Sequence, residues 1–254
     1  MAHSSFMRQF YALCLRDLRQ AFVNPVIVLY TFVPISLSVV LPIVAGVDIP
    51  GVNAMSMGIV VSGILACPTT TPTAFALLEE WEHGTIRSLV DSGVSPHALV
   101  LARLFTSIAI TAPFVGIGFA VISVFLPGVD SGIVPLLALA SMPAAFIGSA
   151  LTLGCSLAIR KQEHVYTCCG VTLLAFIVGM LQTMMVIPAL ELMPFGSIIA
   201  FMMHAVYGIE PLFGWPMVAG ACIAWVFVAS GVLAFGVRSF ERALGAERGA
   251  AGAR

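Results

Sequence analysis

Six long runs of apolar residues, separated by short polar stretches, dominate the pattern along the chain. Each run is near the roughly 20 residues that a helix needs to cross a bilayer. We place the spans at about 26–46, 55–78, 98–126, 132–159, 165–187 and 215–237. The pattern predicts an all-α membrane protein with six transmembrane helices in one domain, residues 1–240.

A different pattern precedes the first span, over residues 5–23. Apolar residues recur there at three- and four-residue intervals: Phe6, Phe10, Leu13, Cys14, Leu18 and Ala21. Charged residues occupy other positions: Arg8, Arg16, Asp17 and Arg19. This spacing predicts an amphipathic helix lying in the membrane interface with its apolar face towards the lipid. The alternative is a helix whose apolar face packs on a soluble partner.

Composition supports the membrane interpretation. The 254 residues are 60% hydrophobic and 9% charged, with mean hydropathy +1.07, whereas soluble domains carry about 25% charged residues. The six cysteines mostly fall inside apolar runs without metal-ligand spacing, so we expect small core residues and no metal site.

The distribution of charge predicts the topology. All 11 basic residues fall on one side of the six-span scheme: Arg8, Arg16, Arg19, Arg87, Arg103, Arg160, Lys161, Arg238, Arg242, Arg248 and Arg254. The opposite connections carry Asp48, Asp130, Glu191 and Glu210 and no basic residue. By the positive-inside rule both termini are cytoplasmic. We expect residues 241–254 to form a disordered cytoplasmic tail.

The densest charge lies in the connection 79–97, between the second and third spans. Its pattern predicts a short amphipathic helix across the cytoplasmic end of the bundle. The acids Glu79 and Glu80 near His83 would also suit catalysis, but Gly84 stands where the Glu-Glu-x-x-x-Arg motif of CAAX-type intramembrane proteases has arginine. The spans supply no matching histidines, and the chain has no phosphate-binding G-x-x-x-x-G-K-[ST] loop. We therefore expect no enzymatic activity in this chain.

Two other segments have candidate roles. The second span contains Thr69, Thr70, Thr71 and Thr73 between and beside two prolines, which predicts either a polar lining for a transport path or contacts between helices. The connection 187–214 is too apolar for an ordinary loop and too short to span. It predicts a re-entrant segment or an extracellular cap packed on the bundle.

The connection 79–97 resembles the cytoplasmic coupling segment of type-2 ABC transporter permeases. The resemblance rests on the acidic pair Glu79-Glu80, then Gly84-Thr85-Ile86, then the turn Val94-Ser95-Pro96. Pro194 and the apolar run after it resemble the family's re-entrant segment before the last span. The amphipathic start, six spans and cytoplasmic termini match along nearly the whole length. Trp81 and His83 depart from the commoner pattern, which affects the choice of partner.

The resemblance implies the membrane subunit of an ATP-driven exporter in a cell membrane, the cytoplasmic membrane of a bacterium. It implies a dimer with a second permease copy, identical or related, and two separate ATP-binding subunits that carry ATP and Mg. The residues implied at the ATPase-coupling interface are Glu79, Glu80, Glu82, Gly84, Thr85, Arg87, Phe10, Leu13, Arg16 and Arg19. No nucleic-acid partner is expected.

The expected substrate is hydrophobic or amphipathic, such as a drug, an antimicrobial peptide or a lipid, because the spans are nearly uncharged. The candidate translocation path comprises Thr69, Thr70, Thr71, Thr73, Met184, Met185, Phe201 and Met202. Two alternatives stay open: a membrane scaffold or sensor subunit that transports nothing, and a passive channel.

Overall fold

The structure is a computed structural model that describes residues 2–23, 77, 80–125, 131–159, 162–180 and 187–252. These residues are helical, with no strand among them. The helices are α1 (Ala2–Val23), α2 (Thr85–Asp91), α3 (Pro96–Phe125), α4 (Val134–Ile159), α5 (Gln162–Met180), α6 (Gly196–Tyr207) and α7 (Trp215–Gly252). Short 3-10 turns, Ser131–Ile133 and Pro188–Leu192, precede α4 and α6. The spans placed at 26–46 and 55–78 lie outside the described residues, apart from the buried Leu77.

The bounds of helices α3, α4 and α5 agree closely with the apolar runs of the sequence. The run 98–126 corresponds to α3, the run 132–159 to the turn at Ser131 and α4, and the run 165–187 to α5 as far as Met180. Two described helices are long and apolar enough to cross a membrane, Val134–Ile159 and the part of α7 from Trp215 to Ala246. The structure therefore shows an all-helical chain with two membrane-length helices in its described part.

Helix α4 lies at the centre of the bundle and contacts α3, α5, α6 and α7. Small residues let the neighbouring backbones approach it closely. Those buried on α4 are Ser141, Ala144, Ala145, Gly148, Ser149, Ala150, Thr152, Gly154 and Ser156. Their hydroxyls are satisfied locally or across helices: Thr152 donates to the Gly148 carbonyl at 2.8 Å, and Ser149 shares a 2.9 Å hydrogen bond with Ser107 of α3.

The closest helix contact joins α4 to α7 through two glycines. A β-carbon built on Gly154 would lie 2.7 Å from the carbonyl oxygen of Val232, and one built on Gly236 would overlap the backbone of Gly154. Neither position has room for a side chain. The most extensive helix pair of the described fold therefore depends on direct contact between two backbones.

Helix α1 packs on α3. Leu13 and Cys14 are buried against it, and the rings of Phe10 and Phe105 meet edge to face with centroids 5.8 Å apart. The chain itself therefore covers part of the apolar face that is expected to lie on lipid, and the interfacial position of α1 stays a prediction. A second stripe of α1, formed by Met7, Tyr11 and Leu15, is exposed instead.

The connection 187–214 is a packed structure. Phe195, Ile198, Ile199 and Met202 are buried in the core, and α6 is only 12 residues long. The buried carboxylate of Glu191 accepts hydrogen bonds from the backbone N–H groups of Leu212 (2.9 Å) and Phe213 (3.1 Å). That bridge fastens the turn before α7 to the 3-10 turn before α6.

The last helix differs from the sequence expectation. It begins at Trp215, as the apolar run predicts, but continues to Gly252 instead of ending near residue 237. The expectation of a disordered tail therefore does not hold for residues 241–252. The reason is local: this stretch contains four alanines, two arginines and two glutamates, which favour a helix and can extend one that is already nucleated despite three glycines.

The glycine contact yields a stability prediction. Gly236→Ala places a methyl group against the α4 backbone, and we expect it to destabilise the fold by about 1–3 kcal/mol. Gly231→Ala, on the same helix with open space around it, is the matched control and should be neutral or slightly stabilising. Thermal unfolding of the purified chain in detergent measures both. Equal losses in the two variants would contradict the close contact.

Candidate functional site

The segment from Glu80 to Pro96 is a chain of short helical pieces with two glycine turns. A helical turn ends at Gly84 (φ 72°), and α2 follows. At the end of α2, Val94 N–H donates to Leu89 O at 3.0 Å and Gly93 N–H donates to Val90 O at 3.1 Å. These two bonds form a Schellman motif, with Gly93 (φ 94°) in the left-handed conformation that glycine adopts without strain. The turn brings the chain directly into α3.

One face of this segment is anchored in the protein and the other is exposed. Ile86 and Val90, one helical turn apart, are buried. The ring of Trp81 packs on Phe240 of α7, with centroids 5.2 Å apart. The exposed side carries Glu82, His83, Gly84, Thr85 and Arg87. The segment therefore lies across the end of the bundle as a helix with a fixed inner face.

Helix α1 holds the same segment through one side-chain amide. The Gln9 Nε2 donates to the Gly93 carbonyl at 3.0 Å, and the Gln9 Oε1 accepts from the Ser95 N–H at 3.2 Å. Both polar groups of the amide are satisfied by one turn. Gln9 thus fastens α1 to the connection between α2 and α3.

Four charged side chains form the centre of the site, and we call them the charge cluster: Arg16 and Asp17 of α1, Glu80, and Arg103 of α3. Their side-chain exposures are 34%, 1%, 14% and 4%, in that order. Arg16 Nη2 lies 2.8 Å from Asp17 Oδ1 and 3.4 Å from Glu80 Oε1. Arg103 Nη2 lies 2.6 Å from Glu80 Oε2, and Arg103 Nε lies 3.2 Å from Asp17 Oδ2.

The charge cluster is neutral, with two guanidiniums and two carboxylates. Arg16 makes well-formed hydrogen bonds to both acids. The contacts of Arg103 have ion-pair distances but lack hydrogen-bond angles. Arg103 therefore attracts both carboxylates mainly through charge, in an interior where such attraction is strong. Three pieces of chain, α1, the Glu80 turn and α3, are held at this point.

Burial governs the acid-base behaviour of the cluster. Removal from water raises the pKa of Asp17 above its ordinary value, and the charges of Arg103 and Arg16 offset this rise only in part. The ionised form of Asp17 thus depends on the two guanidiniums beside it. Loss of either arginine would raise that pKa further.

The residues implied at an ATPase interface fall into two groups. Glu82, Gly84, Thr85, Arg87 and Arg19 are exposed. Phe10, Leu13, Arg16 and Glu80 are buried or half-buried and contact the chain's own helices. Glu79 lies outside the described residues. The structure thus separates an exposed surface, which can contact a partner, from the groups that hold this surface in place.

The candidate translocation path is described only at Phe201 and Met202; its threonines, Met184 and Met185 lie outside the described residues. Met202 is buried in the core. Phe201 is half-buried and lines a cavity between α4, α6 and α7. Of the two described path residues, Phe201 lines this cavity and Met202 does not.

Sequence reasoning missed the roles of Asp17, Arg103 and Gln9. Asp17 was read among the polar positions of α1, yet it follows Leu13 by four residues and Cys14 by three, which places it on their face. The topology scheme counts Arg103 among the cytoplasmic charges, whereas the structure places it two turns inside α3. The available sequence signal for a buried charge was a charged residue at helical spacing within an apolar face. Nothing in the sequence pairs Gln9 with Gly93.

Comparison with known proteins adds no relative. No protein-family model, no curated protein and no solved structure matches this chain. The site is therefore interpreted from its geometry and from the resemblance of its segment to the permease motif.

The charge cluster yields a stability prediction. Arg103→Met leaves two buried carboxylates with one guanidinium, and we expect a loss of about 3–5 kcal/mol. Adding Glu80→Gln restores neutrality around the Arg16–Asp17 pair, so the double variant should be more stable than Arg103→Met alone. Thermal or denaturant unfolding in detergent measures the differences.

The matched control is Arg8→Met, on the exposed side of α1, which should stay within about 0.5 kcal/mol of wild type. A double variant less stable than Arg103→Met would show that Glu80 contributes independently of Arg103. That result would rule out the charge cluster as one coupled unit.

Proposed function

We propose that this chain is the membrane subunit of an ATP-driven exporter of the type-2 ABC permease kind, and that Glu80–Pro96 is its coupling segment. One observation carries the proposal: the exposed face with Glu82, Thr85 and Arg87 belongs to a segment that contacts α1, α3 and α7. A segment that merely connected two spans would need no such anchoring.

Mechanical coupling requires that a force on the exposed face reaches the bundle. The charge cluster joins the segment to α1 and α3, Gln9 joins its end to α1, and Trp81 joins its start to α7. The charge cluster and the Trp81 contact are buried or half-buried, so a displacement of the segment must move these helices with it. The geometry supports a rigid lever rather than a flexible loop.

The exposed face is suited to docking a partner with complementary charge. The face carries an acidic residue, Glu82, followed by a basic one, Arg87. A second basic residue, Arg19, is exposed on α1. Charges at the rim of an interface set orientation and partner choice more than affinity. We assign energy supply to a separate ATP-binding subunit, two copies per permease dimer, because this sequence has no phosphate-binding loop.

The transported molecule in this proposal is hydrophobic or amphipathic. The buried charges of the described α-helices lie in the charge cluster, Glu191 is buried in the 3-10 turn before α6, and the cavity beside Phe201 is walled by apolar groups. Such surroundings favour molecules with little charge. In the proposed topology both termini and the coupling segment are cytoplasmic, and the connection 187–214 is on the outer side.

The test exchanges two charges on the exposed face. Glu82→Lys with Arg87→Glu keeps the net charge but reverses its arrangement, so we expect at least a tenfold loss of co-purifying ATPase and of ATP-dependent transport. Thermal stability should change little, since both side chains are exposed. The partner for the assay is any P-loop protein that a neighbouring gene encodes, co-expressed and purified with this chain.

Arg242→Glu, an exposed charge on α7 outside the coupling segment, is the control and should retain the ATPase. Unchanged ATPase binding and transport in the double variant would contradict the coupling role. If no P-loop protein binds the wild-type chain, a scaffold or sensor subunit or a passive channel becomes the better interpretation.

A further inference from the structure

A cavity of about 320 Å³ lies between α4, the start of α6 and the first turns of α7. Its walls are apolar almost throughout, and residues from all three helices line it, among them Ala140, Pro143, Ile198, Phe201, Val218 and Ala219. Ligand pockets range from about 300 to 1,000 Å³, so this one is at the small end. It has room for one slender apolar group and not for a large molecule.

The cavity opens on the outer surface of the helix bundle. Ile223, one of its lining residues, is 57% exposed and belongs to an exposed apolar stripe of α7 with Phe227, one helical turn away. Only 17% of the apolar window of α7 is buried. If α7 spans the bilayer as proposed above, this stripe meets the hydrocarbon tails of the lipids, and so does the opening.

The end of the cavity at Trp215 adjoins polar side chains that lie outside its lining, and the lining itself includes the buried hydroxyl of Ser197 and the thiol of Cys222. At this end the Trp215 indole N–H donates to Glu210 Oε2 at 2.9 Å, and His204 Nδ1 lies 3.5 Å from Glu210 Oε1. Tryptophan favours the level of the lipid head groups. From Trp215 to Ile223 the cavity follows α7 for roughly 12 Å at ~1.5 Å per residue, close to the ~15 Å depth of hydrocarbon in one leaflet, half of the ~30 Å core.

We propose that this cavity binds one acyl chain of a bilayer phospholipid, whose head group lies at the level of Trp215 and Glu210. The apolar walls, the opening towards the lipid and the polar end all match a chain that hangs from the membrane interface. This inference rests on the membrane placement of α7 in the proposed function. It does not depend on coupling to an ATPase.

The first experiment measures lipid retention. The purified chain is exposed to palmitoyl-oleoyl phosphatidylethanolamine in detergent and examined by native mass spectrometry. Wild type should retain one lipid per chain. Ala219→Phe fills the cavity and should lower retention at least tenfold, whereas Ala224→Phe, the same change at an exposed position on α7, should not. If Ala219→Phe does not fold, Ala140→Leu fills the cavity from the α4 side and decides the question.

The second experiment locates the chain. In vesicles containing lipids brominated on their acyl chains, bromine quenches the fluorescence of nearby tryptophan. With Trp81→Phe and Trp225→Phe as background, only Trp215 reports. Filling the cavity by Ala219→Phe should reduce the quenching of Trp215 by half or more, and Ala224→Phe should leave it unchanged.

Equal lipid retention and equal quenching in the two phenylalanine variants would show that lipid contacts the chain only at its outer surface, and would overturn the proposal. Flotation of the chain with the vesicles separates this failure from that of the membrane placement. A chain that floats but fails both comparisons lacks the lipid site, whereas a chain that does not float also contradicts the proposed function.

Discussion

Arg103 is permanently charged, and it lies almost wholly out of water within an apolar helix. An isolated charge in that position would cost many kcal/mol, so the helix can exist only if counter-charges reach it. Asp17 and Glu80 meet this requirement, and they come from parts of the chain that are distant in sequence. The need to neutralise one guanidinium thereby fixes where α1 and the Glu80 turn can lie. The packing of Phe10 on Phe105, the Gln9 bridge and the contact of Trp81 with Phe240 are all consistent with that placement.

The charge cluster also changes how the acidic pair is understood. In the sequence Glu79 and Glu80 stand together as equivalent surface acids, but Glu80 is committed to an internal ion pair. The exposed residues are the next ones along: Glu82, His83, Gly84, Thr85 and Arg87. Glu80 sets the position of this surface, whereas the exposed residues would make the contacts if a partner binds. Mutation of Glu80 should therefore lower stability, and mutation of the exposed residues should lower only the binding of such a partner.

Periodicity and hydrophobicity predicted the helical class, the positions of α3, α4 and α5 and the start of α7, because these depend on local runs of apolar residues. The contacts between helices did not follow from such runs. Gly154 and Gly236 are two among 23 glycines, and only their meeting across α4 and α7 distinguishes them. Asp17 illustrates the same limit. Its spacing from Leu13 places it on the buried face, but one of its two ion-pair partners, Arg103, is 86 residues further along the chain. Charged residues such as Asp17 and Arg103 are expected in water from their type alone, but the structure buries them.

Helix α7 runs without interruption from the aromatic groups around Trp215 to Phe240, which contacts Trp81. Its tightest contact, at Gly236, is four residues from Phe240 and 21 residues from Trp215. At ~1.5 Å per residue these are arms of roughly 6 Å and 32 Å. A tilt of α7 about the glycine contact would therefore move its far end about five times as far as its near end. A displacement of half an ångström beneath Trp81 would become one of about 2.5 Å beside the cavity, which is comparable with the radius of an alkyl chain.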